Sequence, residues 1–243
     1  MITIKNLKKL FGETLACNIP ELTINKGEII GLVGNNGAGK TTLFRLLLDL
    51  LKADEGYVEL NEVRVDQSEE WKHFTAAFID NGFLIDFLTP EEYFQFISRI
   101  SGTKDDPVKE LEEKYQHFTG GEIFGRNLLI RNLSAGNKQK VGIISALMTQ
   151  PEILILDDSS SALDYATDAA LRKAIHSLGG DITVFLVSQR IAGIKQADKI
   201  IVLDNGAMMG IGTHDSLMQT CDTYREIYFS QFPEERALYA KAN

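Results

Sequence analysis

The chain has 243 residues, of which 44% are hydrophobic and 24% charged, a composition typical of folded globular proteins rather than disordered ones. Its 25 basic and 34 acidic residues give a net charge of −9, which argues against nucleic acid as the main ligand. The two cysteines suit a reducing compartment, and no apolar run approaches the roughly 20 residues of a membrane helix, so we expect a soluble chain.

Short apolar runs alternate with helical patterns along the chain. Residues 2–25 and 56–66 alternate polar with apolar side chains, which predicts half-exposed strands and a small antiparallel layer. Continuous apolar runs predict buried strands at 27–33, 152–158, 182–188 and 199–206. Helical patterns lie at 41–51, 164–178 and 190–197. Buried strands that alternate with helices indicate an α/β protein with a mostly parallel sheet.

Residues 83–130 contain no convincing strand, and two of their segments, EEYFQFISRI and VKELEEKYQHF, have the pattern of amphipathic helices. We therefore predict a helical subdomain at 82–140. It would be inserted in an α/β core made of residues 1–81 and 141–217. A polar helical tail at 218–243 would follow. At about 150 residues per domain the length corresponds to roughly 1.6 domains, which suits one core with an insert.

The strongest motif is GNNGAGKTT, which fits the pattern G-x-x-x-x-G-K-[ST] and lies between a predicted strand and a predicted helix. Glycines let successive backbone N–H groups point at phosphate oxygens, and the helix adds its positive N-terminal end. Lys40 would reach the β- and γ-phosphates of a nucleotide, and the Thr41 hydroxyl would bind Mg²⁺. The candidate residues are Gly34, Asn35, Asn36, Gly37, Ala38, Gly39, Lys40, Thr41 and Thr42.

A second candidate segment, ILILDD, places two acidic residues at the end of an apolar strand. A carboxylate there is costly unless a cation or donors compensate it, so Asp157 is a candidate Mg²⁺ ligand. Asp158 would orient or deprotonate the attacking water. The alternative is that this acidic pair caps the helix that follows.

The segment LSAGNKQK, between the phosphate loop and the Asp157 strand, resembles the signature segment of the ATP-binding cassette (ABC) ATPases. The segment SALD at 161–164 similarly resembles the D-loop of that family. The resemblance covers essentially the whole chain and implies a P-loop ATPase that forms a head-to-tail dimer. It implies that the signature helix faces the γ-phosphate held by the opposite subunit. The corresponding residues here are Ser134, Ala135, Gly136 and Asn137, of which Ala135 and Asn137 replace the usual glycine and glutamine.

The resemblance also implies roles for two further residues. Phe11 lies where the family places an aromatic residue that stacks on adenine, and the alternative is a core phenylalanine. Asp80 occupies the position of the Q-loop glutamine, where its carboxylate would meet Mg²⁺ or the attacking water. Apolar residues after it would receive the coupling helix of a transporter or pack inside the helical insert. They are Phe83, Leu84, Ile85 and Phe87.

Two departures from the family pattern concern hydrolysis. Asp158 replaces the usual glutamate, and its shorter side chain moves the carboxylate by about 1 Å, a displacement that costs on the order of 100-fold in rate. Gln189 replaces the switch histidine, and it can donate to a γ-phosphate but cannot carry a proton. We therefore expect tight binding of ATP with Mg²⁺ and slow hydrolysis.

The expected partners are a second ABC ATPase subunit, identical or different, and separate transmembrane permease subunits. The protein would lie on the cytoplasmic face of the membrane through the permease. Two alternatives remain. One is a module that uses ATP only to dimerise, and the other is a non-transport ABC ATPase, against which the net charge of −9 argues.

The two parts of the chain resemble different subfamilies. Residues before about 150 resemble stand-alone ATPase subunits of bacterial ABC-2-type exporters. Later segments, such as DDSSSALDYATDAALRKAI, look like ATPase domains fused to exporter membrane halves. The chain is thus either a recombinant or engineered chimera of two ABC subfamilies or a divergent natural subunit.

Overall fold

The computed structural model describes residues 1–103, 106–157, 182–187 and 191–236, which fall into two compact units. The first unit comprises residues 1–71 and the described part of 183–243, and the second comprises the described part of 72–182. The predicted insert at 82–140 falls inside the second unit, together with other residues, and its assignment as a subdomain stays a prediction. The helix predicted at 164–178 lies outside the described residues.

The elements follow one another in an order that alternates strands with helices after an all-β start. The strands are β1 (Ile2–Phe11), β2 (Thr14–Ile24), β3 (Ile29–Val33), β4 (Glu55–Leu60), β5 (Val63–Arg64), β6 (Thr75–Phe78), β7 (Ile153–Leu156), β8 (Thr183–Val187), β9 (Lys199–Asp204) and β10 (Ala207–Gly212). The α-helices are α1 (Lys40–Leu47), α2 (Pro90–Ser101), α3 (Val108–Thr119), α4 (Ala135–Leu147), α5 (Ile191–Ile194), α6 (His214–Thr220) and α7 (Asp222–Gln231).

The antiparallel layer that the alternating pattern predicts is present in the first unit. β1 pairs antiparallel with both β2 and β4, and β4 continues the pairing with β5. Ile2 and Ile4 are fully buried on one face of β1, whereas Lys5 on the other face is exposed. This alternation is what a strand with one face on the core and one in solvent requires.

The parallel part of the first unit is built around β3. β3 pairs in parallel with β8 on one side and with β9 on the other. Helix α1 packs against β8 through Phe44, whose ring meets that of Phe185 edge-on at a centroid distance of 4.9 Å. Asn205 and Gly206 both have positive φ, 47° and 78°, so the Asn-Gly turn expected after β9 is confirmed and leads into β10.

The C-terminal helices differ from the polar tail that the sequence predicted. Leu217, Tyr224 and Tyr228 are buried and pack in one cluster with Ile200 and Val202 of β9. The tyrosines are one helical turn apart, so they form an apolar stripe between charged residues. The C-terminal helices therefore complete the core of the first unit.

The second unit combines a pair of parallel strands with helices. β6, which the sequence did not predict, pairs in parallel with β7, and Phe78 lies opposite Leu156. Helix α2 begins with a capping box made by Thr89 and Glu92. Helix α4 approaches β6 closely, since a Cβ atom on Gly142 would lie 2.1 Å from the Phe78 ring. Within the described ranges, none of the helices has the length and apolarity to cross a bilayer.

Candidate functional site

The loop at 34–39 joins the buried end of β3 to the first turn of α1, and the close approach of neighbouring strands determines its shape. A Cβ atom on Gly39 would lie 2.3 Å from the carbonyl oxygen of Ala16. A Cβ atom on Gly34 would lie 2.4 Å from the carbonyl oxygen of Leu203. Gly39 also has a φ of 100°, a left-handed conformation that favours glycine. There is thus no room for a side chain at Gly34 or Gly39, because β9 and β2 lie directly against the loop.

Lys40 begins α1, and its ammonium group turns back over the loop. Nζ donates to the carbonyl oxygens of Gly34 at 2.8 Å and Asn35 at 3.0 Å. The first turn of α1 contains no acidic residue, so the positive end of the helix is not offset there. A lysine ammonium and a helix N-terminus therefore meet at one short loop, which is the chemistry of an anion site.

Exposure divides the predicted cradle residues into two groups. Asn35, Asn36, Gly37 and Thr41 are exposed, and they are available to a ligand from solvent. Ala38 is only 2% exposed, and its N–H donates to the Asn35 carbonyl at 3.0 Å. The methyl group of Ala38 therefore supports the loop from behind, and a ligand contact by its amide requires that turn to open.

Phe11 is placed close to the same loop by the β1–β2 hairpin. It ends β1 opposite Thr14, and its side chain is 54% exposed. This exposure overturns the alternative that Phe11 is a core residue. The carbonyl of Ala16, on the paired strand, is the group that presses on Gly39. The hairpin end and the phosphate loop thus belong to one local arrangement within the first unit.

In the second unit, Asp80 and Asp157 follow neighbouring parallel strands at the same edge. Asp157 is 5% exposed and directly follows β7, and its N–H donates to the Phe78 carbonyl at 3.0 Å. Asp80 lies two residues beyond β6, and its carboxylate accepts from the Gly82 N–H to cap a 3₁₀ turn. The structure therefore brings two of the three predicted metal ligands to one edge and gives Asp80 a structural bond as well.

The signature segment is the N-terminus of α4. The Ser134 hydroxyl caps this helix by accepting from the Asn137 N–H at 3.2 Å. Ser134 and Ala135 are exposed, and the first turn contains no acidic residue. Gly136 is half-buried. The hydroxyl that the resemblance assigns to a phosphate thus has a capping role in its own subunit.

Two predicted catalytic residues cannot be placed. Asp158 and Gln189 lie outside the described residues, as does the D-loop-like segment 161–164. Asp158 follows Asp157, the last described residue after β7, and Gln189 lies between the end of β8 at Val187 and the start of α5 at Ile191. Their proposed roles in hydrolysis therefore stay predictions.

The apolar residues after Asp80 divide between packing and exposure. Leu84 is 8% exposed and packs inside the second unit, and Ile85 is half-buried. Phe83 and Phe87 are 55% and 66% exposed, which is unusual for large apolar side chains. The same unit contains a cavity of about 470 Å³ whose lining includes Tyr93, Ile97 and Ile100 of α2. Packing inside the unit therefore applies to Leu84, whereas a role of Phe83 and Phe87 in receiving a coupling helix stays a prediction.

Two contacts, that of Asp54 with β1 and that of Gln231 with α5, were not predicted. Asp54, just before β4, accepts from the Leu10 N–H at 2.7 Å and from the Lys9 ammonium at 2.9 Å. These donors, the Leu10 N–H first, hold the pKa of the Asp54 carboxyl below its usual range. Gln231 at the end of α7 accepts from the Ile191 N–H at 2.9 Å. Both bonds join residues far apart in sequence, so no local pattern could have revealed them.

Several known proteins are similar to this chain. The family model for "ABC transporter" matches residues 17–161. The alpha-hemolysin translocation ATP-binding protein of Escherichia coli O157:H7 is 31% identical over 244 residues, which cover 93% of this chain and 33% of that protein. A probable multidrug resistance ABC transporter ATP-binding/permease protein of Bacillus subtilis is 33% identical over 224 residues, 86% of this chain and 37% of the relative. The chain thus spans about a third of the length of these relatives.

Solved structures share the fold. An ATP-binding subunit of an ABC transporter superposes with a TM-score of 0.82 at 22% identity, covering 96% of this chain and 99% of its own. A bacterial Atm1-family ABC exporter with ATP bound gives a TM-score of 0.83 at 21% identity, covering 95% of this chain and 42% of its own. At these identities the match concerns architecture, and it confirms the α/β P-loop fold with its antiparallel layer.

Proposed function

Because this chain belongs to the ABC transporter family of ATP-binding proteins, we propose that it binds ATP with Mg²⁺ and hydrolyses it slowly to drive the dimerisation cycle of an exporter. The observation that carries this proposal is the loop at 34–39 with the Lys40 ammonium held over it. Because neighbouring backbone carbonyls constrain the loop at Gly34 and Gly39, little of its conformation has to be ordered on binding.

Binding rearranges few groups of the first unit. Lys40 exchanges the carbonyl oxygens of Gly34 and Asn35 for the more strongly charged phosphate oxygens of ATP. Backbone N–H groups of the loop and the first turn of α1 donate to the same phosphates. The exposed ring of Phe11 stacks on adenine.

The residues proposed as metal ligands fit a divalent cation. Asp157 places a carboxylate at the buried end of an apolar strand, where a cation stabilises it. Asp80 and the exposed Thr41 hydroxyl complete the proposed set, in keeping with the oxygen ligands that Mg²⁺ prefers. When bound, Mg²⁺ neutralises charge on the phosphates.

Hydrolysis depends on two residues that differ from the family pattern. Asp158 would orient or deprotonate the attacking water, and Gln189 would donate a hydrogen bond to the γ-phosphate. Asp158 is shorter than the usual glutamate, and Gln189 lacks the proton chemistry of the usual histidine, so the chemical step is slow while binding remains tight.

ATP turnover by the purified chain tests this proposal. We expect a rate below about 1 s⁻¹, at the low end of the range for enzymes. The double variant Asp158→Glu, Gln189→His should raise the rate by about 10- to 100-fold, and Lys40→Ala should abolish binding. Absence of ATP binding by the parent chain would refute the function, and a fast parent enzyme would refute the attenuation.

Sizing with and without ATP distinguishes the two outcomes of slow hydrolysis. We propose that ATP joins two subunits, so the chain should run as a monomer alone and as a dimer with ATP and Mg²⁺. Dimerisation with negligible phosphate release, unimproved in the double variant, would favour a module that uses ATP only to associate. An apparent size that does not change when ATP is added would contradict the head-to-tail arrangement.

The proposed partners are suggested by relatives such as the probable ATP-binding/permease protein of B. subtilis, whose name combines the two functions. We propose that separate permease subunits supply the transmembrane part and hold this protein at the inner face of the membrane. Phe83 and Phe87 are the proposed contact residues, because they are large, apolar and exposed. The variant Phe83→Ser, Phe87→Ser should lose copurification with a membrane protein while it retains ATP binding.

A further inference from the structure

Phe11 is an exposed aromatic residue at the end of a strand, a position in which a side chain is usually free to change rotamer. Gly12, which follows it with a φ of 60°, starts the turn into β2. A ring that stacks on a base must be ordered beforehand, because ordering it on binding costs free energy. The contacts of its neighbours show what holds it.

Asp54 fixes the backbone next to Phe11. Its Oδ2 accepts from the Leu10 N–H at 2.7 Å, and its own N–H donates to the Lys8 carbonyl at 2.9 Å. The direct pairing of β1 with β4 reaches only as far as Lys8 opposite Glu55. Asp54 therefore extends the attachment of β1 by a side-chain bond, up to the residue before Phe11.

Lys9 connects Asp54 to the ring itself. Its ammonium lies 2.9 Å from Asp54 Oδ1 and 5.8 Å from the centroid of the Phe11 ring, within the range of a cation–π contact. The Lys9 side chain is only 13% exposed, so it is packed along the strand rather than solvated. Held in this way, Lys9 covers one face of the ring.

The β1–β2 hairpin, which contains Lys9 and Phe11, lies directly against the phosphate loop. Lys9 and Leu10 of β1 stand opposite Cys17 and Leu15 of β2, which flank Ala16. The Ala16 carbonyl is the group that meets Gly39. A nucleotide with its phosphates at the loop therefore has its base near the end of this hairpin.

We propose that Asp54 is a positioning residue for the nucleotide base, which fixes Leu10 and Lys9 so that Phe11 presents its remaining face to the ring of the base. This inference rests on the proposed binding of ATP. It predicts that Asp54 matters for the base and not for the phosphates, because its contacts lead to Phe11 and not to Lys40.

The test compares the affinity of the full chain for ATP with its affinity for inorganic triphosphate, which lacks a base. Asp54→Ala should weaken ATP binding about fivefold, the effect of losing one charge-assisted bond network, and leave triphosphate binding unchanged. Phe11→Ala should weaken ATP binding about tenfold, as expected for a lost aromatic stack on a base. The double variant should be no weaker than Phe11→Ala, because the two residues act through one contact.

Glu55→Ala is the matched control. It removes the neighbouring Lys8–Glu55 ion pair, 3.1 Å long, and changes the net charge by the same amount as Asp54→Ala. It should leave both affinities unchanged. Asp54→Asn keeps an acceptor for the Leu10 N–H but not the pairing with Lys9, so its ATP affinity should lie between those of the parent and Asp54→Ala.

Several results would overturn the inference. Equal effects of Asp54→Ala and Glu55→Ala on ATP binding, an equal loss for triphosphate, or additive losses in the double variant would each do so. If Asp54→Ala does not fold, the Asp54→Asn variant decides by the same comparison. A parent chain that binds neither ligand refutes the proposed function, and the inference falls with it. A parent that binds both equally refutes only the role of the base.

Discussion

The phosphate loop of the first unit and the polar residues of the second unit are held in different ways. In the loop, neighbouring strands press on Gly34 and Gly39 through backbone carbonyls. In the second unit, Ser134 and Asp80 use their side-chain oxygens to cap the turns that they begin. Packing therefore determines the shape of the loop, whereas in the second unit the side-chain oxygens that we propose as ligand contacts already cap turns.

The largest expected effect tests the packing of the loop. Gly39→Ala places a Cβ atom 2.3 Å from the Ala16 carbonyl in a left-handed conformation, so the loop or β2 must move. We expect the free energy of unfolding to fall by about 3 kcal/mol and ATP binding to be lost. Urea unfolding followed by the fluorescence of Trp71, the single tryptophan and part of the first unit, measures the change.

Gly37→Ala is the matched control for that experiment. Gly37 also has a positive φ, 84°, but a Cβ atom there would meet nothing within 4 Å. The cost should be limited to about 1 kcal/mol for the left-handed conformation. Equal losses for the two variants would show that backbone conformation alone, and not close approach, demands glycine in the loop.

A smaller effect separates capping from ligand binding at Ser134. Ser134→Ala removes the cap of α4 and should lower the free energy of unfolding by about 1 kcal/mol. Ser134→Asp keeps an acceptor for the Asn137 N–H and should restore stability. Its negative charge would face a phosphate, so ATP-dependent dimerisation in a sizing experiment should be lost.

Thr89→Ala provides the comparison within the same unit. Thr89 caps α2 by accepting from the Glu92 N–H at 3.3 Å, so its removal should cost similar stability. It should not impair dimerisation, because no phosphate role is proposed for it. If Thr89→Ala and Ser134→Asp reduce dimerisation alike, the loss at Ser134 reflects general destabilisation and the proposed phosphate contact is wrong.

The same contrast explains how much could be predicted from sequence. The phosphate loop is a local motif, in which glycine spacing, Lys40 and the flanking patterns lie within one short segment, and its placement between β3 and α1 is confirmed. The Asn205-Gly206 turn is local in the same sense. Such features depend on conformations that few residue types adopt, so the residue types alone are enough to predict them.

Features that depend on distant contacts were missed. β6 is only four residues long, TAAF, and its strand character comes from pairing with β7 rather than from its own pattern. The burial of Tyr224 and Tyr228 requires β9 to lie beside α7. The bonds of Asp54 depend on the register of β4 against β1, which no spacing within either segment sets.

The smallest expected effect is a change in the stability of the first unit with pH. Burial lowers the pKa of His214 and the charge of Lys195 lowers it further, whereas Asp215 and Glu235 act in the opposite direction. The Nδ1 atom of His214 lies 2.8 Å from the Tyr224 hydroxyl. The unfolded chain therefore binds a proton more readily than the folded one between the lowered pKa and the ordinary value of about 6.5. The contribution of His214 to the free energy of unfolding is therefore fully present above about pH 6.5. It decreases as the pH falls from that value to the lowered pKa.

Because His214 is partly exposed, the melting midpoint of the first unit should fall by no more than about 2 °C from this group between pH 7.5 and pH 5.5. The fluorescence of Trp71 follows that unit, and His214→Asn should remove this part of the shift. His73→Asn, which alters an exposed histidine of the second unit, should leave it intact. Identical pH dependence in the parent and His214→Asn would mean that protonation of the C-terminal helices does not couple to the core that carries the phosphate loop.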